Sequence, residues 1–339
     1  MNGSGIKPDY DAIVVGAGVT GMYQTYLLDL AGMQVLGVEA GENVGGTWFW
    51  NRYPGCRLDT ESYTYGYFAL SGIIPEWDWS ETFAGQPEML RYANHAADKM
   101  NVRRHYRFRT KVMSAHYDGL DNVWRVGLDS GEELSCRFLI SATGPLSASR
   151  MPDYDGIDSF KGEAFHTSRW PTDEEGNPQT IDFSGKRVGV IGTGATGVQI
   201  IPIAAETAKD LFVFQRTPNW CTPLGNMPLE KDEMDLIRKR YATILEYVKS
   251  TPTAFPYHRD MRKGTDVSEQ EREALFEQLY DQPGYGIWLS SFRDLLLSKE
   301  SNGFLADFIA RKIRQRVKDP KVAEKLIPTD HPFGAKRVP

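Results

Sequence analysis

Two stretches of the chain repeat one arrangement of apolar and glycine positions. In the first, Asp11-Ala-Ile-Val-Val-Gly16-Ala-Gly18-Val-Thr20-Gly21 runs from a short β-branched segment into a G-x-G-x-x-G turn, then into Tyr23, Leu27, Leu28 and Leu30 at helical spacing. In the second, Arg187-Val-Gly-Val-Ile-Gly192-Thr193-Gly194-Ala195-Thr196-Gly197 breaks at the same point and continues through Val198, Gln199, Ile200 and Ile201. Each predicts the strand, turn and helix of a dinucleotide-binding unit. The first glycine permits the tight turn, the second lets backbone approach a pyrophosphate, and the third allows helix to pack on strand. The phosphate then meets the positive end of the helix dipole. Agreement almost position for position points to a duplicated fold unit, not a solenoid repeat.

The strand after each loop separates the two copies. Gln34-Val-Leu-Gly-Val-Glu39 ends in an acid where a ribose-hydroxyl acceptor belongs, whereas Leu211-Phe-Val-Phe-Gln215 ends in Arg216-Thr217. An arginine beside a hydroxyl accommodates a 2′-phosphate, so the second nucleotide is expected to be NADP, against the alternative of an ordinary surface arginine.

Between the loops, Met89, Leu90, Ala93, Ala97 and Met100 predict a core-facing helix. Residues 110–117, 123–128 and 133–140 predict a small antiparallel meander with a turn at Asp129-Ser-Gly131. Ser141-Ala142-Thr143-Gly144-Pro145 ends the β pattern. Beyond Pro228 the Rossmann alternation stops, and helical spacing returns in Glu230–Ser250, Ser268–Asp281, Ile287–Ser298 and Gly303–Lys318. Ser268 with Glu271 matches a capping box, and Asp319-Pro320 a helix start. The expected fold is α/β: two Rossmann-like domains, a β meander in the first and a helical insertion in the second. The expected boundaries are 1–144 for the first domain, 145–180 for a linker, and 181–339 for the second, with the insertion at about 228–328. The insertion's charges read as a solvated face and no chemistry is assigned to it.

Composition narrows the partners. With 339 residues and a net charge of −6, the chain is long enough for two domains and lacks a basic surface for nucleic acid. Three separated cysteines, Cys56, Cys136 and Cys221, offer neither a disulfide framework nor a metal cluster. No leader pattern and no apolar run approaching roughly 18 residues is present, so a soluble cytoplasmic protein acting on a small molecule is expected. The oligomeric state stays open, a homo-oligomer included.

Two dinucleotides on one chain imply hydride passing from a nicotinamide to a flavin. Disulfide reductases share that layout but need a redox cysteine pair, which is missing, so electrons are expected to reach an external acceptor, with dioxygen the obvious one. Gly45-Gly46-Thr47-Trp48 lets backbone pass close to a ligand, or else forms a turn with an aromatic plug. Asp59, close to Arg57, can orient a cation or be a solvated loop acid.

Between the two loops lies Phe160-Lys-Gly162-Glu-Ala-Phe-His166-Thr167-Ser-Arg-Trp170-Pro171. It matches at every defined position the fingerprint F-x-G-x-x-x-H-[T/S]-x-x-W-[P/D], so the chain resembles the Baeyer–Villiger monooxygenases. Gly45–Trp48, Tyr53-Pro54-Gly55, Arg57-Leu58-Asp59 and Ala142-Thr143-Gly144 resemble that family too. The resemblance implies that NADPH reduces FAD and that O2 adds to give a C4a-peroxyflavin, which inserts one oxygen beside a ketone carbonyl to form an ester or lactone. Bulky cyclic ketones are implied, with a CoA thioester among the options. It assigns Arg337 as the catalytic cation and Asp59 as the acid that orients it. FAD contacts are implied at Gly16, Gly18, Thr20, Gly21, Glu39, Gly46, Thr47, Trp48, Asp59, Tyr65 and Val112. NADP contacts are implied at Arg57, the loop Gly192–Gly197, Gln199, Arg216, Thr217 and Lys336. No metal is implied. His166 is expected to couple domains as a gating or hydrogen-bonded hinge residue, since the reaction needs no proton abstraction from the ketone.

That family's chains continue past the Lys-Arg pair to complete the first domain, so this chain is expected to be a fragment lacking those strands and one pocket wall. Three rivals remain open. They are a flavin-dependent N- or S-oxygenase, which Thr167 and Trp170 disfavour, an NADPH–flavin oxidase making peroxide, and a nucleotide-binding chain without turnover.

Overall fold

The computed structural model describes residues 7–67, 76–174 and 176–336. In chain order the elements are β1 (Tyr10–Val15), α1 (Val19–Leu30), β2 (Val35–Val38), α2 (Thr47–Trp50), α3 (Ser62–Tyr65), α4 (Gln86–Lys99), β3 (Tyr106–Arg107), β4 (Val112–Asp118), β5 (Val123–Leu128) and β6 (Glu133–Ser141). They continue as β7 (Arg187–Ile191), α5 (Ala195–Thr207), β8 (Asp210–Phe214), α6 (Lys231–Ser250), α7 (Glu269–Tyr280), α8 (Gly286–Leu289), α9 (Lys299–Arg316) and α10 (Pro320–Leu326).

By contacts the chain divides into two compact units, Met1–Tyr53 with Gln86–Gln179, and Pro54–Gly85 with Thr180–Pro339. The first is built on one six-stranded sheet in the order β3-β2-β1-β6-β5-β4. The expected antiparallel meander is present as β4, β5 and β6, and it continues the Rossmann sheet through β6. β5 runs antiparallel to β6, but β6 runs parallel to β1 and pairs Ile13 with Leu139 and Val14 with Ile140. β1 sits in mid-sheet, and its Ala12, Ile13 and Val14 are fully buried, which suits its unbroken apolar run.

The second unit carries β7 and β8 as a two-stranded parallel sheet, with Val188 beside Leu211 and Val190 beside Val213. Its main core lies elsewhere, among the helices, where Phe276, Phe292, Leu305, Phe308, Ile309 and Phe333 close on one another. Local signals placed several of these helices well. Ser268 and Glu271 form the reciprocal capping box of α7, and Asp319 caps α10 with Pro320 in its first turn. The helix expected over Ile287–Ser298 is shortened to the four residues of α8. Past it the chain pairs with residues 260–264: Asp260 N–H donates to the Ser290 carbonyl (3.3 Å), Arg293 N–H to the Arg262 carbonyl (3.2 Å), and Asp294 accepts from Gly264 N–H (3.0 Å). The first two of these tertiary bonds use backbone groups, the Ser290 carbonyl and the Arg293 N–H, that a helix would have needed.

Candidate functional sites of the two units

The first glycine loop is held from three sides. Gly16, at φ +107°, turns tightly because Ala142 crosses it; a Cβ at Gly16 would lie 2.5 Å from the Ala142 carbonyl oxygen. Glu39, buried at the end of β2, accepts the Ala17 N–H on one carboxylate oxygen and the Gly41 N–H on the other, both at 2.7 Å. The second glycine turn docks on the first: Gly45 N–H donates to the Ala17 carbonyl (3.0 Å), and a Cβ on Gly46 would come within 2.7 Å of the Gly18 Cα. The turn at Gly45-Gly46-Thr47-Trp48 is thus part of the same cradle, with Trp48 buried behind it.

Below the loop stands Tyr106, which sequence reasoning did not single out. Its hydroxyl donates to the Gly16 carbonyl (3.2 Å) and pairs with Thr25 Oγ1 (3.1 Å), and burial pushes its phenol well above the ordinary tyrosine range. The signal that marks it is Gly37 in the middle of β2, where any Cβ would overlap the Tyr106 ring.

The cradle suits a dinucleotide. The helix it opens, α1, has Gly18 as N-cap with no side-chain cap and no acid in its first turn, so no carboxylate of the helix itself competes for the dipole. Thr20 is exposed, Thr47 and Val112 are half-buried, and all of the expected contacts from Gly16 to Trp48 fall in this unit together with Val112. Asp59 and Tyr65 fall in the second unit, each half-buried.

The fingerprint run also belongs to the first unit. His166 caps a single 3-10 turn at Thr167–Arg169, where its Nδ1 accepts the Ser168 N–H (3.2 Å) and lies 2.9 Å from the Ser168 hydroxyl. An Nδ1 that accepts a backbone N–H leaves Nε2 as the ring's proton-bearing nitrogen. The Phe160 ring folds over Gly162, where a Cβ would lie 2.6 Å from it. Trp170 is buried and its indole donates to the Gln179 carbonyl (2.9 Å). Further on, the Asp173 N–H donates to the Asn177 carbonyl (2.9 Å), and the Arg52 guanidinium donates to the Gly176 carbonyl. Arg169 lies over the Trp50 ring at 4.4 Å. A cleft of about 370 Å³ opens among Glu42, Trp50, Arg52, Arg169, Trp170 and Thr172.

In the second unit the glycine loop at Gly192–Gly197 opens α5, again with an uncapped glycine, Gly194, and no first-turn acid. Two sequence-distant segments flank it. One is the stretch from Pro54: a Cβ on Gly55 would come within 2.5 Å of the Gln199 carbonyl oxygen, and the Gln199 amide donates to the Arg57 carbonyl (3.1 Å). The Arg57 guanidinium is paired with Glu81 at 2.9 Å, which also accepts from the Asn226 amide at 2.6 Å. The other is the stretch before Lys336, whose ammonium donates to Thr217 Oγ1 (3.1 Å), while Thr193 Oγ1 donates to the Thr217 carbonyl (3.3 Å). Thr193, Thr217 and Lys336 are therefore brought together, with Arg216 exposed at the strand end. Arg337, the expected catalytic cation, lies outside the described residues.

A buried acid, Glu61, was also unmarked by the sequence. Tyr257 Oη donates to its Oε1 at 2.5 Å and accepts the Tyr285 N–H at 2.9 Å, while Oε2 has no hydrogen-bond partner among the described residues. Burial raises the Glu61 carboxyl above its ordinary value and pushes the Tyr63 and Tyr285 phenols up to about 12. The thiols of Cys136 and Cys221 are pushed by burial up to about 11, which makes them poor nucleophiles near neutral pH. Among the described residues no helix is long and apolar enough to cross a membrane, and no group of His, Cys, Asp and Glu could hold a metal ion.

This fold and these two loops define a class. Residues 11–255 match the flavin-binding monooxygenase-like family, and the chain belongs to it. It is 76% identical over 339 residues to the 2-oxo-Δ3-4,5,5-trimethylcyclopentenylacetyl-CoA monooxygenase of Pseudomonas putida, covering 100% of this chain and 62% of that protein. It is 42% identical to a Baeyer–Villiger monooxygenase of Pseudooceanicola batsensis, covering 96% of this chain and 59% of that one. Among solved structures it matches the crystal structure of OTEMO in complex with FAD and NADP, with a TM-score of 0.96 and 77% identity over 98% of this chain and 62% of the other. The chain thus spans less than two thirds of the length of these relatives.

Proposed function

We propose that this chain is the nucleotide-binding part of an NADPH- and O2-dependent Baeyer–Villiger monooxygenase that converts bulky cyclic ketones to lactones, working in the cytoplasm. The observation that carries the proposal is the contrast between the two loop ends. A buried carboxylate, Glu39, closes the first, and a hydroxyl with a lysine and an exposed arginine closes the second. The names of the similar proteins supply the reaction. FAD, once reduced by NADPH, supplies the activation of dioxygen when it is bound.

Everything else falls to this chain's own side chains. Each Glu39 oxygen spends one lone pair on a loop N–H and keeps another for a ribose hydroxyl. The glycines at 16, 18, 21 and 46 leave room for a pyrophosphate, with Thr20, Thr47, Trp48, Asp59, Tyr65 and Val112 as further FAD contacts. Arg216, Thr217 and Lys336 receive the NADP 2′-phosphate, and Arg57, Gln199 and the second loop hold the rest of that nucleotide. Arg337 supplies the cation that stabilises the negative oxygen developing on the ketone, oriented by Asp59; an arginine keeps its charge in an apolar pocket. The fingerprint residues Phe160, Gly162, His166, Thr167 and Trp170 act as a hinge, and the chain is assigned as 1–144 for FAD, 145–180 for the linker and 181–339 for NADP.

The test is incubation of the purified chain with FAD, NADPH, O2 and a panel of cyclic ketones, read by mass spectrometry for lactone. Lactone formation supports the reading. NADPH consumption with stoichiometric peroxide and no ester would make the chain an oxidase, and nucleotide binding without NADPH consumption would make it a binding fragment.

A further inference from the structure

The helices after Leu229 carried no expected chemistry, yet one of them grips the last described residues by their backbone. Asn302, in the first turn of α9 and only 6% exposed, uses its whole carboxamide. Nδ2 donates to the Leu295 carbonyl (3.1 Å) and the Phe333 carbonyl (2.9 Å), and Oδ1 accepts the Phe333 N–H (2.9 Å). The Phe333 side chain is sunk in the helical core, 1% exposed, and the Trp220 indole donates to the neighbouring His331 carbonyl (3.1 Å). Gly334 then turns the chain at φ +79°, hard against Leu296 and Trp288, and two residues later Lys336 reaches Thr217.

We propose that Asn302 is a positioning residue for Lys336: by fixing Phe333 at both its N–H and its C=O, it sets where the lysine is delivered beside Thr217 at the end of β8. The carboxamide suits this because it donates and accepts on one face, closing a two-bond ring on a single peptide residue. Aspartate keeps the acceptor and loses both donors, and alanine loses all three bonds. The inference rests on the reading that Lys336 and Arg216 receive the NADP 2′-phosphate.

Calorimetric titration of the full chain with NADP+ and with NAD+ separates the two ideas, because only NADP+ carries the 2′-phosphate. Asn302→Asp and Asn302→Ala are expected to weaken NADP+ roughly tenfold, the scale of one charge-assisted hydrogen bond lost, and to leave NAD+ unchanged. Adding Lys336→Met to Asn302→Ala is expected to cost no more than Lys336→Met alone, since both act on one contact. Folded Asn302 variants that keep the NADP+/NAD+ ratio while Lys336→Met lowers it overturn the positioning role and leave the phosphate reading standing. If Lys336→Met itself leaves the ratio unchanged, the phosphate reading fails and takes the inference with it. Should alanine prevent folding, the near-isosteric Asn302→Asp carries the same test.

Discussion

The two glycine loops have nearly the same sequence and opposite surroundings. The first begins on a strand buried at the middle of six, with Val14 fully shielded, and is closely braced, with Tyr106 beneath, Glu39 at the side and Gly46 above. The second begins on one of two strands whose apolar side chains stay open, Phe214 at 60% and Ile191 at 63% exposure, and it is flanked by segments drawn from far along the chain. The motif sets the turn and the helix start. What surrounds it sets the charge presented to a ligand and how much a substitution costs.

The steepest way to break the comparison is at the docked glycine turns. Gly46→Val puts a branched side chain at φ +53° and within overlap distance of Gly18. Backbone strain and overpacking of about 1–3 kcal/mol each should weaken FAD on the order of 100-fold. Flavin fluorescence titration against the unaltered chain checks this. Retained affinity would mean that the two turns part readily and do not form one cradle.

A second test sets the strands against each other. Val14→Ala should lower stability by about 2 kcal/mol, because two methyl groups leave a shielded site, whereas Phe214→Ala should cost about 0.5 kcal/mol or less. Urea titration followed by circular dichroism measures both. Equal losses would show that β8 is as tightly packed in solution as β1.

Smaller still is the effect at the second strand's end. Arg216→Ala should lower the preference for NADPH over NADH roughly tenfold, the loss of one charge-assisted contact to a phosphate. A ratio that does not move would return Arg216 to the standing of a surface arginine.

These differences mark what the sequence could carry. Both glycine turns, the acid at 39 against the arginine at 216, the capping box at Ser268 and the Asp319-Pro320 start are local patterns, and each is legible because its physics acts within a few residues. The supports were not legible. Tyr106 reaches the Gly16 carbonyl across ninety positions, Gln199 meets Arg57 across more than a hundred, and Asn302 in α9 holds Phe333 in a turn well past that helix. No periodicity records such pairings, and where they compete with local propensity they win, as at Ile287–Ser298. Strand glycines such as Gly37 are the exception, since a missing side chain shows where a neighbour's ring must lie.

The finest distinction concerns one buried acid in each unit, Glu39 and Glu61. Glu39 has two backbone N–H donors, while Glu61 has one tyrosine hydroxyl and an unmatched oxygen. Burial therefore raises the Glu61 carboxyl above the ordinary value of 4.5 and favours its neutral form in the folded chain. For a raised carboxyl, the unfolded chain releases the proton first, so the stability from the neutral form is complete below pH 4.5 and is lost as pH rises towards the folded value. Tyr63, Tyr257 and Tyr285 face it and stay neutral across that range. Glu61→Gln, which has the same shape and cannot ionise, should accordingly match the unaltered chain in acid and melt progressively higher than it as pH rises to neutrality. Melting curves taken at half-unit steps from pH 4.5 to 7.5 test this. A gap that stays constant with pH would show that Glu61 is ionised in the folded chain, with Oε2 satisfied by solvent.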